Sequence, residues 1–339
     1  MSIRVHRPGL LTTVQDYGRH GYQHLGLCPG GAMDPVALGL ANALIGNPMR
    51  EAALEITVLG PELEFEAQTL VALCGAEFGG GFPRQRPVLM AAGSRLSLGG
   101  AERGARAYLA VAGGFALEPV LGSRSTYLPG GFGGFHGRAL RRGDVVPLHE
   151  DCVSLSRERF GSLKNTRNGT VRWHAPPVTL PEHEPIVLHA IEGQHFASFD
   201  IAAQRAFFDA VWRIAPDSNR MGFRLAGPAL ARAETDEILS GPTCIGTVQV
   251  PASGAPIALM ADHQTTGGYP RIAEIASADV PRLAQLAPGA SLRFARCNLE
   301  TANALRRDLR TRIEPALRAI AWQYGIGLGE GHGAPAHEQ

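Results

Sequence analysis

Short apolar runs separated by turn residues dominate the hydrophobic pattern of the chain, and long helical periodicities are few. Runs of this length predict buried strands where glycine or proline bounds them. The first run, at residues 3–5, predicts a strand at the edge of a sheet. The pattern as a whole predicts a mainly β fold with a few helices, and the predicted strands lie at 3–5, 54–57, 63–65, 69–74, 88–90, 95–98, 107–111, 186–191 and 257–261.

The clearest helix is predicted at 34–46. Asp34 suits its N-cap, Pro35 its first helical position and Gly46 its C-terminal cap. Because the helix is apolar on every face except at Asn42, we expect it to be buried. Asn42 must then find partners, either as a satisfied amide of the core or as a group that reaches into a site. Two further helices are predicted at 200–211 and 298–324.

The two halves of the chain share four landmarks in the same order, which indicates duplication of one β-rich fold. The landmarks are Gly-Ala-Met-Asp at 31–34 and Asn-Arg-Met-Gly at 219–222, Gly-Pro-x-Leu at 60–63 and 227–230, Gly-Gly after a strand at 113–114 and 267–268, and a glycine before the closing strand at 143 and 289. We therefore predict a first domain at 1–150 with a helical insertion at 34–46, a connector at 151–184, a second domain at 185–297, a C-terminal helix at 298–324 and a tail at 325–339.

Composition narrows the possible functions. Hydrophobic residues make up 45% of the chain, charged residues 19%, and the net charge is +1, which fits neither a disordered chain nor a nucleic-acid-binding protein. Lys164 is the only lysine. The chain therefore has no phosphate-loop lysine, no Schiff-base lysine near the candidate loops and no lysine for biotin attachment. A nucleotide or biotin must reach the site by other means.

The cysteine pattern and the hydropathy of the chain indicate its cellular compartment. The cysteines are odd in number and form no Cys-x-x-Cys pair, so we expect free thiols in a reducing compartment, without a disulfide framework or zinc site. There is no apolar signal core, and no apolar run approaches the roughly 18 residues that span a bilayer. We expect a cytoplasmic protein without membrane contact. The cysteines are Cys28, Cys74, Cys152, Cys244 and Cys297.

The stretch at 256–270 carries the densest candidate chemistry. A buried strand at 257–261 delivers five adjacent polar side chains, beginning with Asp262, to a Gly267-Gly268 turn. A rigid strand that ends in a polar loop is a common scaffold for a functional site. The alternative is an Asx or Ser/Thr turn, in which these groups only satisfy local amides. A counterpart loop lies at 29–34.

A glycine-rich segment at 122–134 resembles a dinucleotide-binding loop only superficially. The last glycine of a Gly-x-Gly-x-x-Gly motif would fall on His136, and no strand–helix unit surrounds the segment. A loop that wraps an anion with backbone amides remains possible here.

Seven stretches together resemble the biotin-dependent carboxyltransferase-related family over about residues 3–297. This family includes the C subunit of 5-oxoprolinase, formerly called allophanate hydrolase subunit 2, and half of the carboxyltransferase domain of urea carboxylase. The stretches are Gly-Leu-Leu-Thr-Thr-Val-Gln-Asp-Tyr-Gly-Arg at 9–19, Gly-Gly-Ala-Met-Asp at 30–34, Leu-Ala-Asn at 40–42, Gly-Asn-Pro at 46–48, Gly-Ser-Arg-Ser-Thr at 122–126, Ser-Asn-Arg-Met-Gly at 218–222 and the polar loop at 262–270.

The resemblance implies two tandem cyclophilin-like β-barrel domains and a partner, a B-subunit-like protein of cyclophilin fold. Together with an A subunit, such a pair opens 5-oxo-L-proline to L-glutamate with hydrolysis of ATP, which the assembled complex binds. In the alternative, a carboxyltransferase acts on urea or another amide, and carboxybiotin on a separate carrier donates the carboxyl group. A third possibility is a non-enzymatic regulatory protein that binds a B-subunit-like partner, because relatives include antagonists of a sporulation-kinase inhibitor.

Two positions depart from the family pattern. Ser240-Gly241-Pro242 stands where Ser-Glu-Gly is expected, and His263 stands where arginine or glycine is commoner. Both departures leave the identity of the amide substrate open.

The chemistry of a lactam or urea carbonyl suggests roles for the polar residues, because this weak electrophile needs donors at its oxygen and a carboxylate at its N–H. We expect Asp262 to accept from the substrate N–H, in a cleft where its loop approaches residues 29–34, with Arg220 and residues 123–126 nearby. Arg220 is expected to pair with a carboxylate or phosphate, or else with a nearby acid. The predicted catalytic residues are Asp262, Gln264 and Arg220; the predicted substrate-binding residues are Asp34, Asn42, Arg124, Ser125, Thr265, Gly267, Gly268 and Tyr269; no metal is expected.

Overall fold

The computed structural model describes residues 1–233 and 238–324, which form two compact units. The first unit contains residues 1–18, 34–180 and 310–324, and the second contains residues 19–33 and 181–309. The units therefore divide the chain differently from the predicted boundaries, because the segment at 19–33 packs with the second half. The predicted tail at 325–339 lies outside the described residues.

Most of the secondary-structure elements of both units are strands. Those of the first unit are β1 (Ser2–Arg7), β2 (Leu11–Gln15), β3 (Ala53–Thr57), β4 (Glu62–Phe65), β5 (Thr69–Phe78), β6 (Pro87–Met90), β7 (Arg95–Ser97), β8 (Ala101–Val111), β9 (Val145–Pro147), β10 (Thr166–Arg167) and β11 (Thr170–Val171). Those of the second unit are β12 (Ile186–Glu192), β13 (Trp212–Ile214), β14 (Gly222–Ala226), β15 (Gly241–Pro242), β16 (Thr247–Gln249), β17 (Ile257–Leu259), β18 (Thr266–Gly267), β19 (Arg271–Ile275) and β20 (Ser291–Arg296). The helices are α1 (Pro35–Leu44), α2 (Cys152–Ser162), α3 (Ile201–Asp209), α4 (Val280–Ala284) and α5 (Leu299–Gln323).

The first unit is built from two sheets around one apolar core. A four-stranded sheet has the order β7-β4-β1-β9, and a seven-stranded sheet has the order β10-β11-β6-β5-β8-β3-β2. Apolar side chains from both sheets, such as Phe65 and Leu109, belong to the same core. The prediction of an edge strand at 3–5 is wrong, because β1 pairs with β4 on one side and with β9 on the other.

Part of the predicted connector belongs to the first unit. Strand β11 extends the larger sheet by pairing with β6, and the Leu70 amide donates to the Ser156 hydroxyl of α2 at 2.8 Å. The hydrophobic pattern did not reveal α2, because this helix buries only Cys152 and Ser156 and therefore has no apolar stripe.

The second unit contains a closed barrel of seven strands in the order β12-β19-β16-β17-β14-β13-β20. Strands β12 and β20 pair in parallel, and the other neighbours are antiparallel. Its core holds stacked Phe207 and Phe294 rings, whose centroids are 4.5 Å apart, and the buried side chain of Met33. The mainly β architecture with a barrel confirms the predicted fold class.

Helix α1 forms as its terminal residues predict. The Ala37 amide donates to Asp34 Oδ1 at 3.0 Å, Pro35 occupies the first position, and Gly46 adopts a left-handed φ of 71° beyond the last turn. Asp200 caps α3 in the same way, by accepting from the Ala203 amide at 2.6 Å. No helix within residues 1–233 and 238–324 is long and apolar enough to cross a membrane.

Candidate functional site

Asp262 forms a buried ion pair with Arg220 in the second unit. Arg220 Nε donates to Oδ2 at 2.9 Å and Nη2 donates to Oδ1 at 3.0 Å, and the two side chains are 3% and 1% exposed. The Asp262 amide also donates to the Arg220 carbonyl at 2.8 Å. Two-point contact of this kind fixes both side chains in one geometry. The alternative expectation for Arg220, an ion pair with a nearby acid, is what the structure shows.

The loop before α1 meets this ion pair. Arg220 Nη2 donates to the Gly31 carbonyl at 2.6 Å, and a side chain on Gly30 would come within 3.5 Å of Asp262 Oδ1. Residues 30–31, Arg220 and Asp262 therefore form one buried cluster. Because the carboxylate faces the guanidinium, the cluster is arranged to hold the polar loop and the glycine loop together.

A row of polar side chains continues from this cluster along the loop. His263 is 4% exposed, burial lowers its pKa, and its Nδ1 donates to the Gln264 carbonyl at 2.7 Å. Gln264 Nε2 donates to Gln249 Oε1 at 3.1 Å. Gln249 Nε2 is buried and has no hydrogen-bond partner among the described residues, so a donor is left over beside the loop. Sequence reasoning missed Gln249, although a glutamine that ends a short apolar strand was the available signal.

The glycine turn lets other groups approach the backbone closely, and neither of its two residues has a positive φ. A side chain on Gly267 would lie 2.5 Å from Gln249 Nε2, and one on Gly268 would lie 3.2 Å from Ser240 Oγ. Gly267 also pairs with Gly241 across the β15–β18 ribbon. Thr265 is half-buried beside it, and Tyr269 is 51% exposed.

Asp34 belongs to the first unit and is fully buried there. Besides capping α1, it accepts from Thr179 Oγ1 at 2.5 Å through Oδ2, while its amide donates to the Tyr108 hydroxyl at 2.7 Å. The Tyr108 hydroxyl donates to Glu55 at 2.7 Å, and burial raises the pKa of Tyr108 well above its ordinary value. This tyrosine is therefore a neutral hydrogen-bond donor in a buried chain of polar groups.

Asp16 links two of the stretches that carry the family resemblance. Its carboxylate accepts from the hydroxyls of Ser123 and Ser125 at 2.6 and 2.5 Å, and from the amides of Gly18 and Arg124 at 2.7 and 2.6 Å. Ser125 is thus held within the first unit by Asp16. Sequence reasoning missed this role of Asp16, which no local pattern reveals, because the two serines that donate to it lie more than a hundred positions away.

Arg124 and Asn42 complete the predicted residues of the first unit. The Arg124 side chain donates to the Leu117 carbonyl at 2.7 Å and lies 3.7 Å from Glu51. Asn42 donates to the Glu51 carbonyl at 2.6 Å and accepts from Asn47 at 3.0 Å, so both ends of its amide are satisfied. Asn42 is a satisfied core amide, one of its two expected roles. Within the described parts of the chain, no group of three or more His, Cys, Asp or Glu side chains could hold a metal ion.

Comparison with known proteins identifies the family. The family model "carboxyltransferase domain, subdomain A and B" matches residues 25–296, most of the chain. The chain belongs to this family.

This carboxyltransferase-domain protein aligns with nearly the whole length of one relative and with a small part of another. It is 40% identical to the C subunit of 5-oxoprolinase from Escherichia coli K12 over 326 residues, which is 95% of this chain and 98% of the relative. It is 31% identical to urea amidolyase of Saccharomyces cerevisiae over 325 residues, which is 90% of this chain and 17% of that relative. The crystal structure of Kluyveromyces lactis urea carboxylase matches with a TM-score of 0.81 at 28% identity, over 100% of this chain and 31% of that one.

Proposed function

We propose that the chain is the C subunit of an ATP-dependent 5-oxoprolinase, which opens 5-oxo-L-proline to L-glutamate together with the A and B subunits. The observation that carries this proposal is the end-to-end match with the Escherichia coli C subunit, which spans 95% of this chain and 98% of the relative. The match with urea amidolyase spans only 17% of that relative.

The polar loop supports an amide substrate. Ring opening of a lactam develops negative charge on the carbonyl oxygen, which preorganised donors stabilise. The Gln264–Gln249 pair and its leftover buried amide donor supply groups of this kind beside Gly267. The Asp262–Arg220 ion pair holds the start of the loop in place, so its proposed contribution to catalysis is positioning.

The need for partner proteins follows from what the sequence lacks. The chain contains one lysine, Lys164, and no phosphate-loop sequence, so we assign ATP to the assembled complex. The B-subunit-like partner and the A subunit would complete the enzyme.

The direct test is co-expression of this chain with the A and B subunits from the same genome. We expect glutamate release from 5-oxo-L-proline that requires ATP and all three proteins. Omission of this chain is the control, and it should abolish the activity. A folded complete assembly without ATP-dependent glutamate release would contradict the proposal.

A carboxyltransferase acting on urea or another amide is the second candidate, favoured by the likeness to urea carboxylase at a TM-score of 0.81. It needs carboxybiotin on a separate carrier, since the chain offers no biotin-attachment lysine. Depletion of biotinylated proteins with avidin should abolish this activity and leave ATP-dependent ring opening unchanged.

A further inference from the structure

A cavity of about 550 Å³ opens on the second unit beside the β15–β18 ribbon, a volume typical of a small-molecule site. Its wall includes Arg232, Arg271 and His195, together with Gln194 and the backbone at Gly241. None of the described residues that line it is acidic. The Arg271 guanidinium gives this wall a group that suits a planar anion.

Arg271 is oriented by its neighbours and keeps donors for a ligand. Its Nη1 donates to the Pro242 carbonyl at 2.8 Å, and its Nη2 donates to Gln194 Oε1. Since a guanidinium has five N–H donors, three are not used by these two bonds. A side chain on Gly241 would come within 3.2 Å of Arg271 Nη2, so the glycine lets the guanidinium lie close to the ribbon.

Glu274, on the same strand as Arg271, is engaged elsewhere. Its carboxyl accepts from Thr247 Oγ1 at 2.7 Å, and burial raises its pKa, which favours the neutral form.

His195 adds a neutral donor to the cavity. Its Nδ1 accepts from the Arg271 amide at 3.2 Å, so the ring proton lies on Nε2. Burial lowers the pKa of His195, and the charges of Arg271 and Arg232 lower it further. Histidine is thus uncharged at pH 7, which is the response expected in a positive field.

We propose that this cavity binds the carboxylate of the small amide substrate, with Arg271 as the main anchor and His195 as a further donor. The proposal rests on the proposed function for the identity of that substrate. It moves the carboxylate contact from Arg220, which the sequence suggested, to Arg271. Arg220 already binds Asp262 and the Gly31 carbonyl, both buried.

The ribbon connects this anchor with the polar loop. Gly241 pairs with Gly267, and the Arg271 guanidinium approaches the first of these glycines while the Gln249 amide approaches the second. The group proposed to bind the carboxylate and the group proposed to bind the amide therefore lie at opposite strands of one two-stranded ribbon. A planar carboxylate suits the guanidinium fork.

Ligand-observed NMR on the full-length chain tests the proposal, with 5-oxo-L-proline as the probe and 2-pyrrolidinone as the same lactam without the carboxylate. We expect the wild type to prefer 5-oxo-L-proline. Arg271→Ala should weaken its binding roughly tenfold to a hundredfold, to the level of 2-pyrrolidinone, as expected for a lost charge-assisted contact. Arg271→Lys should retain part of the preference, since it keeps the charge without the fork.

Arg213→Ala is the matched control, because Arg213 is an exposed arginine of the same barrel that does not line the cavity. It should bind like the wild type, and melting curves should show that all variants fold. Equal binding of the two probes by the wild type, or unchanged 5-oxo-L-proline binding by Arg271→Ala, would overturn the proposal.

In the assembled enzyme, Arg271→Ala should raise KM for 5-oxo-L-proline and leave KM for ATP unchanged. A rise in KM for ATP alone would assign the cavity to a phosphate and overturn the carboxylate proposal. An inactive wild-type assembly would count against the proposed function, while the binding series would still decide the role of the cavity.

Discussion

Arg220–Asp262 and Arg224–Asp217 are two ion pairs of the second unit with the same N–O separation, 2.9 Å. The first pair is 3% and 1% exposed, and the second is 53% and 66% exposed. Water screens the exposed pair, which contributes at most about 1 kcal/mol. In the buried pair, removal of one partner leaves a charge that has lost its counterion in a poorly solvated place, which costs several kcal/mol.

Asp262→Asn should therefore lower the free energy of unfolding by about 3 kcal/mol, and Asp217→Asn by less than about 1 kcal/mol. Urea denaturation of both variants measures the difference. If Asp262→Asn abolished turnover of the assembled enzyme without lowering stability, Asp262 would act in the chemistry and the positioning role would be wrong.

A β-bulge is the local feature that sets the length of β5. The register between β5 and β8 shifts between Gly75 and Glu77, and Gly75 has a φ of 100°. A side chain there would lie 2.4 Å from the Arg106 carbonyl oxygen. The predicted strand stopped at 74 because the glycine resembles a break, whereas β5 continues past the bulge to Phe78.

Gly75→Ala should destabilise the protein by about 3 kcal/mol, because a left-handed φ and a clash with the backbone add together. Gly93→Ala separates the two causes, because Gly93 has a φ of 74° but open space around it. This substitution should lower the free energy of unfolding by about 1 kcal/mol. Thermal unfolding measures both. Equal effects of the two substitutions would show that the close approach at Gly75 contributes nothing.

The whole molecule is not divided into halves at one point of the sequence. The segment 19–33 belongs to the second unit, although residues 1–18 and 34–180 belong to the first. Met33 ends this segment and is fully buried in the core of the barrel unit. The second core therefore depends on a residue that precedes its own strands by about 150 positions.

Met33→Ala should lower the free energy of unfolding by about 2–5 kcal/mol, as for a methionine truncated in a packed core. Met221→Ala is the control, because Met221 lies in the same unit and is 41% exposed. Hydrogen exchange in β12–β20 should rise for Met33→Ala. A loss of less than about 1 kcal/mol would show that the barrel core packs without this residue.

Local signals were sufficient where the stabilising contacts are local. Helix α1 was predictable because its N-cap residue, Asp34, lies three positions from Ala37, whose amide donates a hydrogen bond to the Asp34 carboxylate. Strands such as β3, β5 and β8 were predictable because turn residues bound their apolar runs. Helix α2 was not, since its polar sequence packs through two small side chains.

The polar loop at 262–270 was found from the sequence, but its contacts with distant residues were not. The sequence by itself determined the mainly β fold, the family and the polar residue types, because these follow from patterns a few residues long. The tertiary structure alone decided that Arg220 is engaged by Asp262 and Gly31 and that Arg271 lines a cavity. Arg220 lies 42 positions from Asp262 and 189 from Gly31. An arginine carries the same charge in an ion pair and in a cavity wall, so only the packing of distant segments shows which of the two arginines lines a cavity.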